Sequence, residues 1–230
     1  IKGRYVFVNQ LLRSCSSIGA NSHEARYAQS KADFISKLHI ALKATAEAYG
    51  KKGKHIITTE IEHPAVKNTC EYLENFGFET TYLPGQENGI ISIEDLKNAI
   101  REDTILISVM HANNEIGTIQ PIGEIGKIAK ENGIIFHCDA VQSIGKIPVD
   151  VKAANIDLLS MSSHKIYGPK GVGALFIRKG LRLDPYIHGG GQEGGKRSGT
   201  ENVAGIIGFG KAAEIAKRDL EVNTEKLTAI

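Results

Sequence analysis

From His55 onward, short apolar runs alternate with stretches in which apolar residues return every third or fourth position. The runs predict strands at His55 to Ile61, Phe78 to Leu83, Thr104 to Met110, Ile134 to Cys138, Leu158 to Met161 and Gly173 to Arg178. The intervening stretches predict helices. One is opened by Pro64, runs through Phe76 and is closed by Gly77. A second is capped by Ser92 with Asp95 three residues on, a third spans Gly123 to Asn132, and a last one runs from Glu201 to Ala216 and beyond. Strands alternating with helices predict a mostly parallel α/β sheet covered on both faces. Before this region, Ala25, Ala28, Ala32, Ile35, Leu38, Leu42, Ala46 and Tyr49 keep a helical period up to Gly50, as one long helix or two abutting ones. Residues 1 to 13 are short and β-like, and Ser14 to Ser22 reads as a loop.

Composition narrows this picture in a few places. The 230 residues suffice for one large domain, and a net charge of +2 gives no pull towards nucleic acid or a membrane surface. The 25 glycines and 6 prolines are spread as turn punctuation, and no apolar run approaches the ~18 residues of a membrane-spanning helix. Ile1-Lys2-Gly3-Arg4 shows no signal-peptide pattern, and Cys15, Cys70 and Cys138 are too scattered for a disulfide framework. The expectation is a soluble, cytoplasmic protein. No C-x-x-C or H-x-x-x-H pair suggests a metal site, and Cys138 at a strand end reads as a small hydrophobe.

Candidate chemistry gathers at two strand ends. The run Leu158 to Met161 delivers Ser162-Ser163-His164-Lys165 into a loop marked by Gly168, Pro169, Gly171 and Gly173. Ligands of α/β sheets sit at the carboxyl ends of strands, so the Lys165 amine is placed for a carbonyl ligand. A solvated loop lysine is the plainer reading. Against it stands Asp139, which ends the strand upstream in His137-Cys138-Asp139. A lysine to hold an aldehyde and a carboxylate to pair with a pyridinium are the protein's two main contributions to pyridoxal phosphate chemistry. Gly190 to Lys196 fits a phosphate-cradling G-x-x-x-x-G-K. However, Arg197 stands where that loop needs a hydroxyl for magnesium.

In order along the chain, H-A-N-N-E-I-G, H-C-D-A-V-Q-S, S-S-H-K-I-Y-G-P-K-G and G-G-G-Q-E-G-G-K-R-S-G-T strongly resemble cysteine desulfurases of the class V aminotransferase family. The resemblance is trusted from about Ala46 to Ala216. It implies the large domain of the aspartate aminotransferase type, pyridoxal 5'-phosphate as cofactor, and conversion of L-cysteine to L-alanine with sulfur passed to a protein persulfide. It makes Lys165 the cofactor lysine and His63 a ring that stacks on the cofactor and assists proton transfer. Asn114 and Gln142 become donors to the cofactor's phenolic oxygen, and Asp139 the partner of its pyridine nitrogen. Ser162 and His164 become phosphate ligands, and Thr200 reaches the phosphate of a partner subunit in a homodimer. Alone, His63 reads as an ordinary helix-entry residue and Asn113-Asn114 as a turn. A sulfur-acceptor or scaffold protein is a further implied partner.

Two departures from the family pattern bear on activity. The family's nucleophilic cysteine and substrate-binding arginine lie beyond the matched region. The Gly-Ala-Thr phosphate turn also has no counterpart between Phe34 and Lys43, although Ser16-Ser17-Ile18 and Glu24-Ala25-Arg26 resemble earlier family segments. Residues 1–50 therefore read as a degenerate or rearranged segment, and 51–230 as an incomplete cofactor-binding domain. The chain is expected to hold cofactor weakly and not to complete turnover alone. Selenocysteine lysis, transamination, or a non-catalytic fragment that dimerises or binds a desulfurase remain as alternatives.

Overall fold

The computed structural model describes residues 32–228. The element order is α1 (Ala32–Tyr49), β1 (His55–Thr59), α2 (Pro64–Glu74), β2 (Glu79–Leu83), α3 (Ile93–Ala99), β3 (Thr104–Met110), α4 (Ile122–Glu131), β4 (Ile135–Asp139), β5 (Leu158–Ser162), β6 (Gly173–Ile177), α5 (Val203–Arg218) and α6 (Leu220–Thr228). All six expected strands are present, with ends displaced by one or two residues, and each expected helix forms. The last helix is broken at Asp219 rather than continuous. The expectations for residues 1 to 31 lie outside the described residues.

The strands form one sheet in the order β2-β1-β3-β4-β5-β6. Every neighbouring pair is parallel except β5 and β6, which run antiparallel. The chain moves outward from β1 to β2 and then returns to β3 on the other side of β1. A crevice opens at the carboxyl ends of β1 and β3, where the direction of winding reverses.

Period-two alternation divides the core into two halves. Ile57, Ile107, Val109, Phe136, Cys138, Leu159 and Met161 pack with residues of α3, α4 and α5. Their neighbours Ile56, Leu106, Ile135 and Leu158 face the opposite way and pack with Leu38, Ala41, Leu42 and Ala46 of α1 and Val66, Cys70 and Leu73 of α2. The helical period read before Gly50 thus belongs to a helix that covers one face of the same sheet. On the other face, α4 comes so close to the β4–β5 connection that a Cβ on Gly126 would lie 1.8 Å from the Ala154 carbonyl oxygen. Only glycine fits there. Phe136 is the fully buried ring beneath this contact. Phe136→Ala is expected to cost about 3–5 kcal/mol, read as a lower urea midpoint with unchanged slope.

The α1 face is not apolar along its whole length. Beyond the apolar residues Ile56, Leu106 and Ile135 comes the polar row Thr58–Ser108–His137, which meets Ser160 of β5 one step further along, and all four are fully buried. His137 Nδ1 lies 2.8 Å from Ser108 Oγ and Nε2 lies 2.9 Å from Ser160 Oγ, while Thr58 Oγ1 donates to the Ser108 carbonyl at 2.9 Å. Burial drops the His137 imidazole to about 3, so it is neutral, with one ring nitrogen donating and the other accepting. Two residues further along their strands, Met110 and Asp139 form the rim of the crevice, and Ser162 ends β5 behind it.

Candidate active site

A cavity of about 630 Å³ at this rim is lined by His63, Met110, Asn114, Asp139, Val141, Gln142, His164, Lys165, Lys170 and Gly171. Six of the eight residues singled out from the sequence therefore share one cavity. Ser162 is not on its wall but stands directly behind it, with Oγ 2.7 Å from His164 Nδ1. Thr200 is exposed and does not line the cavity of its own chain.

Asp139 is the last residue of β4, paired in register with Met110 of β3 and Ser160 of β5. Its Oδ1 accepts the Val141 N–H at 2.9 Å, and its carbonyl accepts the His111 N–H at 2.9 Å. Burial pushes the carboxyl up to about 6, opposed by the Val141 amide and the positive charge of Lys165. A carboxylate in this setting is costly unless a cation lies against it.

His63 follows β1 and is both a helix-entry residue and part of the cavity wall. Its Nδ1 accepts the Ala65 N–H at 3.1 Å as the N-cap of α2, which leaves Nε2 as the nitrogen carrying the proton. Its ring also lines the cavity. Burial, and secondarily Lys165, lower its pKa, while Glu115 opposes, so the ring is neutral near pH 7.

The loop after β3 divides its work between two asparagines. Asn113 Oδ1 accepts the N–H groups of Glu115 and Ile116, and its Nδ2 donates to the Ile61 carbonyl. Asn113 thereby holds the turn, and Asn114 is left to face the cavity. Lys165 lies in a single 3-10 turn, Ser163–Ile166, that continues β5. Tyr167 ends this turn in the left-handed region at φ 64°, an uncommon conformation for a residue with a bulky side chain. The chain then passes Gly168, where a Cβ would sit 2.2 Å from Ser163 Oγ. The close packing of this turn fixes the direction in which Lys165 leaves the sheet.

Three residues not singled out from the sequence belong to this neighbourhood. Glu62 is fully buried, with Oε1 accepting the Met110 N–H and Oε2 lacking a partner among the described residues. Burial, and then the charge of Asp139, hold its carboxyl well above the usual range. Lys146 donates to Gln142, and Lys170 lines the cavity. Glu62 precedes His63 in the sequence, but nothing in the local pattern marks it as buried. Cys70 and Cys138 are both buried, and burial pushes the Cys70 thiol up to about 12 and the Cys138 thiol well above its usual value. Neither is an available thiolate. Among the described residues, no group of three or more His, Cys, Asp or Glu is placed to hold a metal ion. No described helix is long and apolar enough to cross a membrane.

The family model for aminotransferase class-V matches residues 34–228, beginning before Ala46 and running past Ala216. A cysteine desulfurase IscS from Dictyoglomus turgidum is 56% identical over 214 residues, which are 93% of this chain and 54% of that protein. The chain spans about half the length of the curated relatives it matches. Among solved structures, a NifS-like protein superposes with a TM-score of 0.81 at 41% identity, over 94% of this chain and 60% of that one. SspA, solved in complex with cysteine, gives 0.76 at 39% identity, over 91% and 69%. With the sheet order, the cavity and this sequence identity in agreement, the chain belongs to the class-V aminotransferase family.

Proposed function

We propose that this chain forms the pyridoxal 5'-phosphate-binding large domain of a cysteine desulfurase. The observation that carries the reading is the convergence of the Lys165 amine, the Asp139 carboxyl and the His63 imidazole on one cavity. The residues fit the cofactor in three respects. An amine is available for its aldehyde. A buried carboxyl with one N–H partner can take a pyridinium N–H. Ser162 and His164 stand together where β5 ends, suited to the phosphate.

The bound cofactor supplies an electron sink that makes the Cα–H bond of an amino acid acidic. The chain's own residues do the rest. The Lys165 amine would hold the cofactor aldehyde and is placed to move protons at the substrate carbon. Asp139 would set its negative charge against the ring nitrogen, and burial holds the neighbouring Glu62 carboxyl towards its protonated form. The ring of His63 would lie over the cofactor, and its Nε2–H can give a proton and, once deprotonated, take it back. Asn114 and Gln142 present amide donors. In the overall reaction the C–S bond of L-cysteine breaks, sulfur passes to a thiolate as a persulfide, and the carbon is protonated to give L-alanine. The buried thiols of Cys70 and Cys138 are unsuited to that attack. A second copy of the chain, contributing Thr200, and a sulfur-accepting protein are the partners this reading implies.

Titration of the purified chain with pyridoxal 5'-phosphate should produce a visible absorption band, and L-cysteine should change that band. A chain with no band at saturating cofactor is a scaffold, and the reading fails.

A further inference from the structure

The turn after β4 places a third lysine, besides Lys165 and Lys170, beside the cavity. Val141 and Gln142 line the wall, Gly145 turns the chain at φ 76°, and Lys146 comes back against Gln142. Lys146 Nζ donates to Gln142 Oε1 at 2.8 Å in a partly buried setting. Its main chain is anchored from both sides. The Lys146 N–H donates to the Ser143 carbonyl at 3.0 Å, and Thr224 Oγ1 of α6 donates to the Lys146 carbonyl at 2.8 Å.

A glutamine amide has one acceptor end and one donor end, and rotation by half a turn exchanges them. With Oε1 held by an ammonium, the end left for a ligand is the NH2. We propose that Lys146 is a positioning residue that fixes Gln142 so that the cavity meets only its amide donor, making this wall selective for an anionic oxygen on the ligand. The inference rests on the cofactor reading above and adds to it the origin of Gln142's orientation. The ion–dipole contact also polarises the amide, which strengthens the donated bond. Burial, and then the charge of Lys165, lower the Lys146 pKa, so the contact to Gln142 is its compensation for leaving water.

The test uses Lys146→Met, which keeps the side-chain length and removes the donor, and Lys146→Arg, which restores a cationic donor. In the cofactor-free protein, the Gln142 side-chain amide should give one well-dispersed pair of NMR signals. The pair should move to free-amide positions in Lys146→Met and return towards its original position in Lys146→Arg. Pyridoxal 5'-phosphate should bind Lys146→Met about tenfold more weakly, the value of one oriented hydrogen bond. The penalty should vanish with the 3-deoxy analogue, which lacks the phenolic oxygen. An equal penalty for both compounds, or unmoved Gln142 signals in Lys146→Met, overturns the inference while leaving the cofactor reading intact. If the unaltered chain binds neither compound, both readings fall.

Discussion

Lys165→Ala should leave the chain unable to hold pyridoxal 5'-phosphate covalently. Borohydride reduction of the unaltered chain with cofactor, followed by peptide mapping, should label Lys165 and no other residue. Lys146 and Lys170 are the competing amines in the same neighbourhood, and a label on either would overturn the assignment. Any activity of the assembled enzyme should fall by at least about 10²–10⁴ in Lys165→Ala, the usual value of a positioned acid–base group. A second readout needs no cofactor. The positive charge of Lys165 lowers the pKa of His63, after burial, and that of His164 in the same order. Removing it should raise both, visible as later titration of the two imidazole resonances. Unmoved resonances would mean that the amine lies farther from the wall than the cavity geometry has it.

Asp139→Asn should stabilise the empty protein and cripple the loaded one. Asp139 ionises near 6 in the folded chain against 3.8 when exposed, because burial disfavours its charge. A folded value above the unfolded one means that the folded state holds the proton more tightly. Stability is therefore highest at low pH on this account and is lost as pH rises from about 4 through about 6. At pH 7 the buried charge costs on the order of 1–3 kcal/mol. Asparagine keeps an oxygen for the Val141 N–H and carries no charge, so Asp139→Asn should raise the urea midpoint of the empty chain at pH 7 and not at pH 4. With cofactor bound, the same substitution removes the anion facing the ring nitrogen. Exchange of the substrate α-proton should then slow by orders of magnitude. Normal exchange would exclude Asp139 from that pairing, and an unchanged urea midpoint at pH 7 would mean that its charge is already compensated.

The contrast between these residues and their neighbours shows what a sequence discloses. Asp139 and Lys165 were legible because each ends an apolar run, and in a parallel sheet the ends of such runs converge. The register that joins them was not legible: the pairing of Asp139 with Met110 on one side and Ser160 on the other is a long-range property. Glu62 and Lys146 escaped for a related reason. Each owes its position to a partner that the spacing of apolar residues does not indicate, the Met110 amide across the sheet for Glu62 and the doubling back of the turn at Gly145 for Lys146. The roles of Asn113 and Asn114 were readable as a pair but not separable, since either amide can close a turn. The helical period before Gly50 was plain. Its place on the sheet is set by the packing of Leu38, Ala41 and Leu42 in one core with Ile56, Leu106 and Leu158, which the period alone does not specify.

The buried bonds of His137 to Ser108 and Ser160 carry a consequence for how the chain finds its native pairing. Adjacent parallel strands of similar apolar content can slip past one another by a residue, and a slip turns every side chain to the wrong face. Here a slip of β4 would set Phe136 or Cys138 opposite Ser108 and leave both nitrogens of His137 without partners among apolar groups. Each orphaned nitrogen costs about 1–3 kcal/mol, so a misregistered sheet is penalised by several kcal/mol before any loss of packing is counted. The imidazole thus works as a proofreading key, rejecting mispaired intermediates at the centre of the sheet, one row below the residues that must arrive at its edge together.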